Sequence, residues 1–257
     1  MMQVVILCGG TGTRLKEQTE FIPKPMIPIG GIPMVCHIMK LYAHHGFDRF
    51  VLALGYKQEM IKSYFLHYDM LNADLTIRTG TYKGMPICTH PGDDWEISMV
   101  DTGEHTLKGG RLKRIEKYIQ CDPFMLTYGD GVGNIDLPAL LAFHKAHGKM
   151  VTLTGVHPVP RFGELLYDKK GRVLKYKEKQ HSEGCLTNGG FMVMSRKIFD
   201  YLTPDCDLEY GPLELLAAKG ELMVREHNGF WGCMDTMSDM MVLIDLWNKG
   251  KAPWKVW

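Results

Sequence analysis

The residues able to do chemistry concentrate in a few short stretches. Leu7-Cys8-Gly9-Gly10-Thr11-Gly12-Thr13-Arg14 sets three glycines among small residues, just ahead of an arginine. Consecutive backbone N–H groups in such a loop can cradle an anion, and the guanidinium adds fixed positive charge. The dinucleotide fingerprint fails, because Leu15 stands where its third glycine belongs, and no Lys-Ser/Thr pair follows to make a Walker A loop. A plain glycine-rich turn between strand and helix remains open. Further on, Pro23-Lys24-Pro25-Met26 holds one lysine between two prolines. A backbone so fixed can present an ammonium to a phosphate at small entropic cost; the alternative is a solvated loop lysine. Asp130, in Gly129-Asp130-Gly131, and Asp235 are carboxylates far apart in sequence. Mg²⁺ takes one or two carboxylates plus phosphate oxygens and water, so these two suffice if the fold joins them. Otherwise Asp130 is a turn residue and Asp235 caps the last helix.

These stretches need elements to position them. Gln3 to Cys8 is a short β-branched run ended by glycines, the pattern of a buried parallel strand feeding a loop. Pro33 to Gly46 has helical spacing, with proline at its first turn and glycine at its stop. Phe50–Leu54 predicts a strand, Lys57–Tyr68 a helix and Leu75–Arg78 a third strand, giving β-α-β-α-β and hence a parallel sheet with helices on both faces. Strands are also expected at Ile97–Val100, Phe124–Tyr128, Val151–Val156 and Gly189–Met194, with a β-hairpin pairing Leu165–Tyr167 with Val173–Tyr176. Further helices are expected at Arg111–Ile119 (after Gly109-Gly110), Leu137–His147, Lys197–Leu202, Pro212–Lys219 and Ser238–Lys249. No linker or internal repeat divides the chain, so residues 1–257 are read as one domain. Ligands of open α/β sheets bind beyond the strands' carboxyl ends, which points to the loops after Leu7, Tyr128, Tyr176 and Met194.

Composition narrows the classes. The 257 residues carry 30 Lys+Arg against 29 Asp+Glu, 45% hydrophobic and 23% charged, which is ordinary globular usage with no basic footprint for nucleic acid. The longest strictly apolar runs fall far short of the roughly 20 residues that cross a membrane, and no signal-peptide pattern opens the chain. Seven cysteines at irregular spacing contain no CxxC pair and read as reduced thiols of a cytoplasmic protein. His144 and His147 share a helix face without a third ligand at suitable spacing, so no zinc site is expected.

Taken together, Gly9-Gly10-x-Gly12-Thr13-Arg14-Leu15, Pro23-Lys24-Pro25-Met26, the Gly31-x-Pro33-Met34 helix start, Gly129-Asp130, Glu178-Lys179 and Asn188-Gly189-Gly190 resemble the sugar-1-phosphate nucleotidylyltransferase family across most of the chain. Val100-Asp101-Thr102-Gly103, Gly109-Gly110-Arg111-Leu112-Lys113-Arg114, Phe143-His144-Lys145-Ala146-His147-Gly148-Lys149 and Met234-Asp235-Thr236 resemble its CTP-using members more narrowly. The resemblance implies a Rossmann-like, mostly parallel sheet flanked by helices, of the nucleotide-diphospho-sugar transferase type, with a β-hairpin insertion. It implies transfer of a cytidylyl group from CTP to α-D-glucose 1-phosphate, releasing pyrophosphate, at the entry to CDP-linked deoxysugars of surface polysaccharide. Use of UTP or dTTP, or of another sugar 1-phosphate, is the alternative within the class; a catalytically silent nucleotide-sugar sensor is the alternative outside it.

By the same resemblance, the nucleotide lies along Leu7, Cys8, Gly9, Gly10, Thr11, Gly12, Thr13 and Arg14, with Lys24, Thr102, Arg111 and Gly129 beside it. Arg14 and Lys24 grip the triphosphate. Lys179 holds the sugar phosphate, while Glu178, Asn188 and Gly189 meet the sugar. Asp130 and Asp235 hold Mg²⁺. Gln180 departs from the proline many relatives carry after the Glu-Lys pair, which puts the exact sugar in doubt. Cytosine offers O2 and N3 as adjacent acceptors, and arginine offers only donors in a planar fork. Arg111, with Thr102 nearby, is therefore expected to read the base, the alternative being an arginine at a helix start paired with a surface acid. Finally, Trp254 and Trp257 in the tail lead us to expect a homo-oligomer, unless the tail docks on its own domain.

Overall fold

β1 (Gln3–Cys8) is buried at every residue. A strand covered on both faces must lie inside a sheet with helices over each side. The computed structural model, which describes residues 1–76, 87–88, 93–157, 164–177 and 185–257, has that arrangement. β1 is joined by β2 (Arg49–Leu54), β3 (Glu96–Asp101), β4 (Phe124–Tyr128), β5 (Val151–Val156), β6 (Thr187–Met194) and β7 (Leu222–His227). The order across the sheet is β7-β5-β6-β4-β1-β2-β3, and every strand but β6 runs parallel.

Alternation along each strand divides the core. Val4, Ile6 and Cys8 of β1 and Phe50, Leu52 and Leu54 of β2 face one apolar layer; Val5, Leu7, Val51 and Ala53 face the other. Helices α1 (Met34–His44), α2 (Gln58–Leu66), α3 (Lys108–Arg114), α4 (Leu137–His147) and α5 (Met237–Asn248) flank the sheet. α1, α4 and α5 cover the first layer and α3 helps close the second. Each large side chain buried this way is worth roughly 1.5–3 kcal/mol. α4 begins on Asp136, whose side chain accepts from the Ala139 N–H, as its sequence suggested.

Three expectations are corrected. Leu75–Thr76 does not enter the main sheet: it pairs antiparallel with Ile87–Cys88, and the third parallel strand is β3. Leu75 and Thr76 are exposed, so they lack the apolar surface an interior strand buries; Arg78 lies outside the described residues. α3 starts at Lys108 and contains Gly109 and Gly110 instead of following them. A Cβ on Gly110 would stand 2.0 Å from the Pro204 carbonyl oxygen, so close packing selects glycine inside this helix. The helix ends at Arg114, and a separate 3₁₀ turn covers Glu116–Tyr118. The α-helix expected from Pro212 begins at Glu214 and ends at Ala218, because Pro212 and Leu213 belong to a π turn in which Leu213 N–H donates to the Leu208 carbonyl at 3.2 Å.

The tail follows the second of its two readings, docking on its own domain. Trp254 is 1% exposed and packs on its own domain. Its Nε1 donates to His37 Nδ1 at 3.2 Å, which leaves His37 Nε2 to carry the proton and donate to the Ile29 carbonyl at 2.9 Å. Phe230 stacks on Trp254, with ring centroids 5.6 Å apart. The tail therefore supplies no argument for assembly. No helix among the described residues is long and apolar enough to cross a membrane.

Candidate active site

The chain builds outward from β1 to β2 and β3, then crosses to β4 on the other side of β1. Such a switch point opens a crevice beyond the strand ends. A cleft of about 520 Å³ lies there, with Leu7 and Cys8 of β1 and Thr127 and Tyr128 of β4 at its base. Gly9, Gly10 and Gly12 line it. Gly12 has φ +63°, the left-handed conformation that closes the loop onto Leu15, and Leu15 N–H donates to its carbonyl at 2.9 Å. A Cβ on Gly9 would sit 2.1 Å from the Arg111 guanidinium, so no side chain fits. Thr11, Thr13 and Arg14 are exposed and do not line the cleft.

The Pro-Lys-Pro frame behaves as its sequence suggests. Pro23 is extended and Lys24–Met26 makes one 3₁₀ turn, so Lys24 projects into the cleft. Its ammonium lies 2.7 Å from Asp130 Oδ2 and 2.7 Å from Asp235 Oδ1. Arg14 Nη1 donates to Asp235 Oδ2 at 2.8 Å, which brings the exposed arginine to the rim. Burial works against the Lys24 charge, but Asp130 and Asp235 outweigh it and raise its pKa. Burial likewise works to raise Asp235, yet Lys24 and Arg14 hold its carboxyl below the usual range.

A ribbon with no clear signature in the sequence joins the two aspartates. Gly131–Gly133 pairs antiparallel with Trp231–Cys233, and Met234 N–H donates to the Asp130 carbonyl at 2.8 Å. Asp235 does not cap α5. Thr236 does, in a capping box with Asp239, so the Asp235 carboxylate is left for the cluster. Asp130, Asp235 and the thiol of Cys233 offer ligand atoms within 4.8 Å of one another. Burial, then the two carboxylates, push the Cys233 thiol up.

Arg111 departs from its expected place. It lines the cleft but is 4% exposed, and its fork is committed to the protein. Nη1 donates to Leu54 O at 3.1 Å, Thr102 Oγ1 at 2.8 Å and Gly103 O at 2.6 Å; Nη2 donates to Gly9 O and Glu104 O, each at 2.8 Å. A buried guanidinium needs acceptors, and the ends of three strands supply them. It pairs with no surface acid and ties the glycine loop to the ends of β2 and β3. Thr102 is fully buried beneath it.

Gly129, Asn188 and Gly189 line the cleft's far side. Tyr128 OH donates to Glu209 Oε1 at 2.5 Å, and Asn188 Nδ2 donates to Tyr128 OH at 3.3 Å. Trp231 Nε1 donates to Gly189 O at 2.8 Å. Lys108 pairs with Glu209 at 2.5 Å. Of these, Lys108, Glu209 and Trp231, together with Cys233, were not foreseen. Alternation carried a signal for two of them, since Trp231, Cys233 and Asp235 recur at period two. Glu178, Lys179 and Gln180 lie outside the described residues. His144 and His147 both bond Thr152 Oγ1, at 2.9 and 2.7 Å.

The crossover sheet, the glycine loop at its switch point and the lysine–aspartate cluster define a nucleotide-handling transferase site. The nucleotidyl transferase family model matches residues 3–228, and the chain belongs to that family. Within it, the chain is similar over its full length to the glucose-1-phosphate cytidylyltransferases of Salmonella typhimurium and Salmonella typhi, 45% identical to each over 100% of both chains. The fold is shared with the crystal structure of HddC from Yersinia pseudotuberculosis complexed with GMP-PN: TM-score 0.67, 24% identity, covering 96% of this chain and 100% of that one.

Proposed function

We propose that the chain transfers a cytidylyl group from CTP to α-D-glucose 1-phosphate, giving CDP-glucose and pyrophosphate. The observation carrying this reading is that Lys24, Asp130 and Asp235 meet beside the glycine loop in a chain 45% identical, end to end, to glucose-1-phosphate cytidylyltransferases. A phosphate oxygen of the sugar attacks the α-phosphorus in line. The new P–O bond forms as the bond to the β-phosphate bridge breaks, and pyrophosphate leaves. Both reactants are anions, so positioning and charge neutralisation dominate the catalysis.

The chain's residues divide that work. The glycine loop receives the triphosphate, Lys24 reaches its α-phosphate and Arg14 closes over it from the rim. Lys179 takes the sugar phosphate and Glu178 the sugar hydroxyls. Asn188 and Gly189 form the sugar wall, stiffened by Tyr128, Glu209 and Trp231. The Lys24 ammonium between two carboxylates marks a place suited to a cation, so the donor set fits Mg²⁺ on Asp130 and Asp235. When bound, Mg²⁺ supplies charge neutralisation at the transferring phosphoryl group. Arg111 shapes the base pocket through Gly9, Gly103 and Glu104, and backbone groups read the base. Action in the cytoplasm and as a homo-oligomer belongs to the same proposal, the latter read by sedimentation.

Pyrophosphate release with CTP, UTP and dTTP against a panel of hexose 1-phosphates tests the reading. CTP with glucose 1-phosphate is expected to give the highest kcat/KM. Preference for another pair moves the substrate assignment, and no turnover with any pair leaves the silent sensor.

A further inference from the structure

The Lys24–Asp130–Asp235 cluster contains a ligand that the reaction does not use. Cys233 closes the ribbon strand Trp231–Cys233, and its Sγ lies within 4.8 Å of a carboxylate oxygen from each aspartate. Mg²⁺ gains little from sulfur, whereas borderline cations bind thiolate, carboxylate and water together. Zn²⁺ holds sulfur at about 2.3 Å and carboxylate oxygen at about 2.0–2.2 Å in a tetrahedral set. Ligand atoms in such a set stand roughly 3.3–3.6 Å apart, so shifts on the order of an ångström close the present spread. The space is also one that accepts positive charge, since the Lys24 ammonium lies 2.7 Å from both carboxylates.

We propose that Cys233 makes this centre thiophilic: a borderline divalent cation such as Zn²⁺ or Co²⁺ binds through Cys233 Sγ and one oxygen each of Asp130 and Asp235. The ion displaces Lys24 and competes with Mg²⁺ for the same carboxylates. This rests on the Mg²⁺ assignment made above. As the sulfur–metal bond forms, the thiol proton passes to solvent and no electron is transferred. The fourth position is left to water or a nucleotide phosphate. Such an ion occupies the two carboxylates that the reaction's metal would use, so the inference is of an inhibitory site. Cys8 also lines the cleft but stands outside the metal-ligand group, which makes it an internal control.

The test uses the full chain, stripped of metal by chelator and free of nucleotide. Co²⁺ is titrated in while the sulfur-to-cobalt charge-transfer band is followed in the near ultraviolet. The band is expected to saturate at about one equivalent in the wild type and in Cys8→Ser, and to be lost in Cys233→Ser and Cys233→Ala. Mn²⁺ binding, read by electron paramagnetic resonance, is expected to stay within about twofold in Cys233→Ser, which certifies the fold and the two aspartates. A band that survives in Cys233→Ser overturns the proposal. So does a wild type that binds Mn²⁺ without giving the band, and in both cases the Mg²⁺ assignment stands. A wild type giving neither Mn²⁺ binding nor the band overturns both.

Discussion

Arg111→Ala separates positioning the base pocket from reading the base. The wild-type fork makes five hydrogen bonds to protein acceptors. Not all are lost equally. Leu54 O keeps the Thr102 N–H at 2.9 Å and the Thr102 hydroxyl at 2.5 Å, and Gly9 O keeps a long contact from Tyr56 N–H at 3.4 Å. Gly103 O and Glu104 O lose the guanidinium. At about 1–3 kcal/mol for each carbonyl left unsatisfied, reduced because both are only part-buried, the loss comes to about 2–5 kcal/mol. At about 2–4 °C per kcal/mol for a chain of this size, Tm should fall by about 4–20 °C. Thermal unfolding by circular dichroism gives Tm, and initial rates give kcat/KM for CTP and UTP. Both kcat/KM values should fall together, since a loosened glycine loop serves neither base. Refutation is a Tm within about 2 °C of wild type with the CTP/UTP ratio reduced about tenfold or more, which would make the guanidinium a direct reader of cytosine.

Chelation by EDTA should abolish turnover and added Mg²⁺ restore it, while Asp235→Asn should keep its far-ultraviolet spectrum and lose several orders of magnitude in kcat; near-normal turnover at limiting Mg²⁺ removes Asp235 from the metal centre. Burial, then His147, push His144 down to about 4 from an unfolded value near 6.5, so the folded chain holds fewer protons there than the unfolded one. Stability from this group is full above pH ~6.5 and drains as pH falls toward ~4, by at most about 3 kcal/mol; His144→Gln should flatten Tm against pH across that window. Trp254→Phe keeps a ring but removes the donor to buried His37, and calorimetry should find Tm lower by about 2–8 °C, whereas an unchanged Tm means that the bond is dispensable.

What could be read from sequence is what depends on neighbours in sequence. The glycine loop after β1, the proline-framed Lys24 and the aspartate after β4 each follow from a short run whose backbone chemistry is self-contained. Arg111 was legible as a cleft residue but its partners were not, because they stand at the ends of three strands: Gly9 after β1, Leu54 closing β2, and Thr102, Gly103 and Glu104 after β3. The ribbon of Gly131–Gly133 with Trp231–Cys233 carries only the faint alternation of Trp231, Cys233 and Asp235, too short to name its partner strand, yet it is what joins Asp130 to Asp235. In α3, helix propensity argues against two glycines, and only the nearness of Cys206 to Gly109 and of Pro204 to Gly110 explains them. The tail's tryptophans signalled burial but not the surface that buries them.

The bond between Trp254 and His37 joins residues 217 positions apart. A chain growing from its amino end emits the glycine loop, Lys24 and the Ile29 turn first, and His37 then waits through nearly all of synthesis for its indole partner. Contacts of such long sequence separation form late, because a large loop must close before they return any energy. The first layer therefore lacks the indole that covers His37 until the far end of the chain arrives. Phe230, stacked on the same indole one residue before the ribbon strand, joins at that moment too. Trp231, Cys233 and Asp235, which line the cleft opposite the glycine loop, come from the same late stretch, so a nascent chain carries the loop and Lys24 long before the residues that face them.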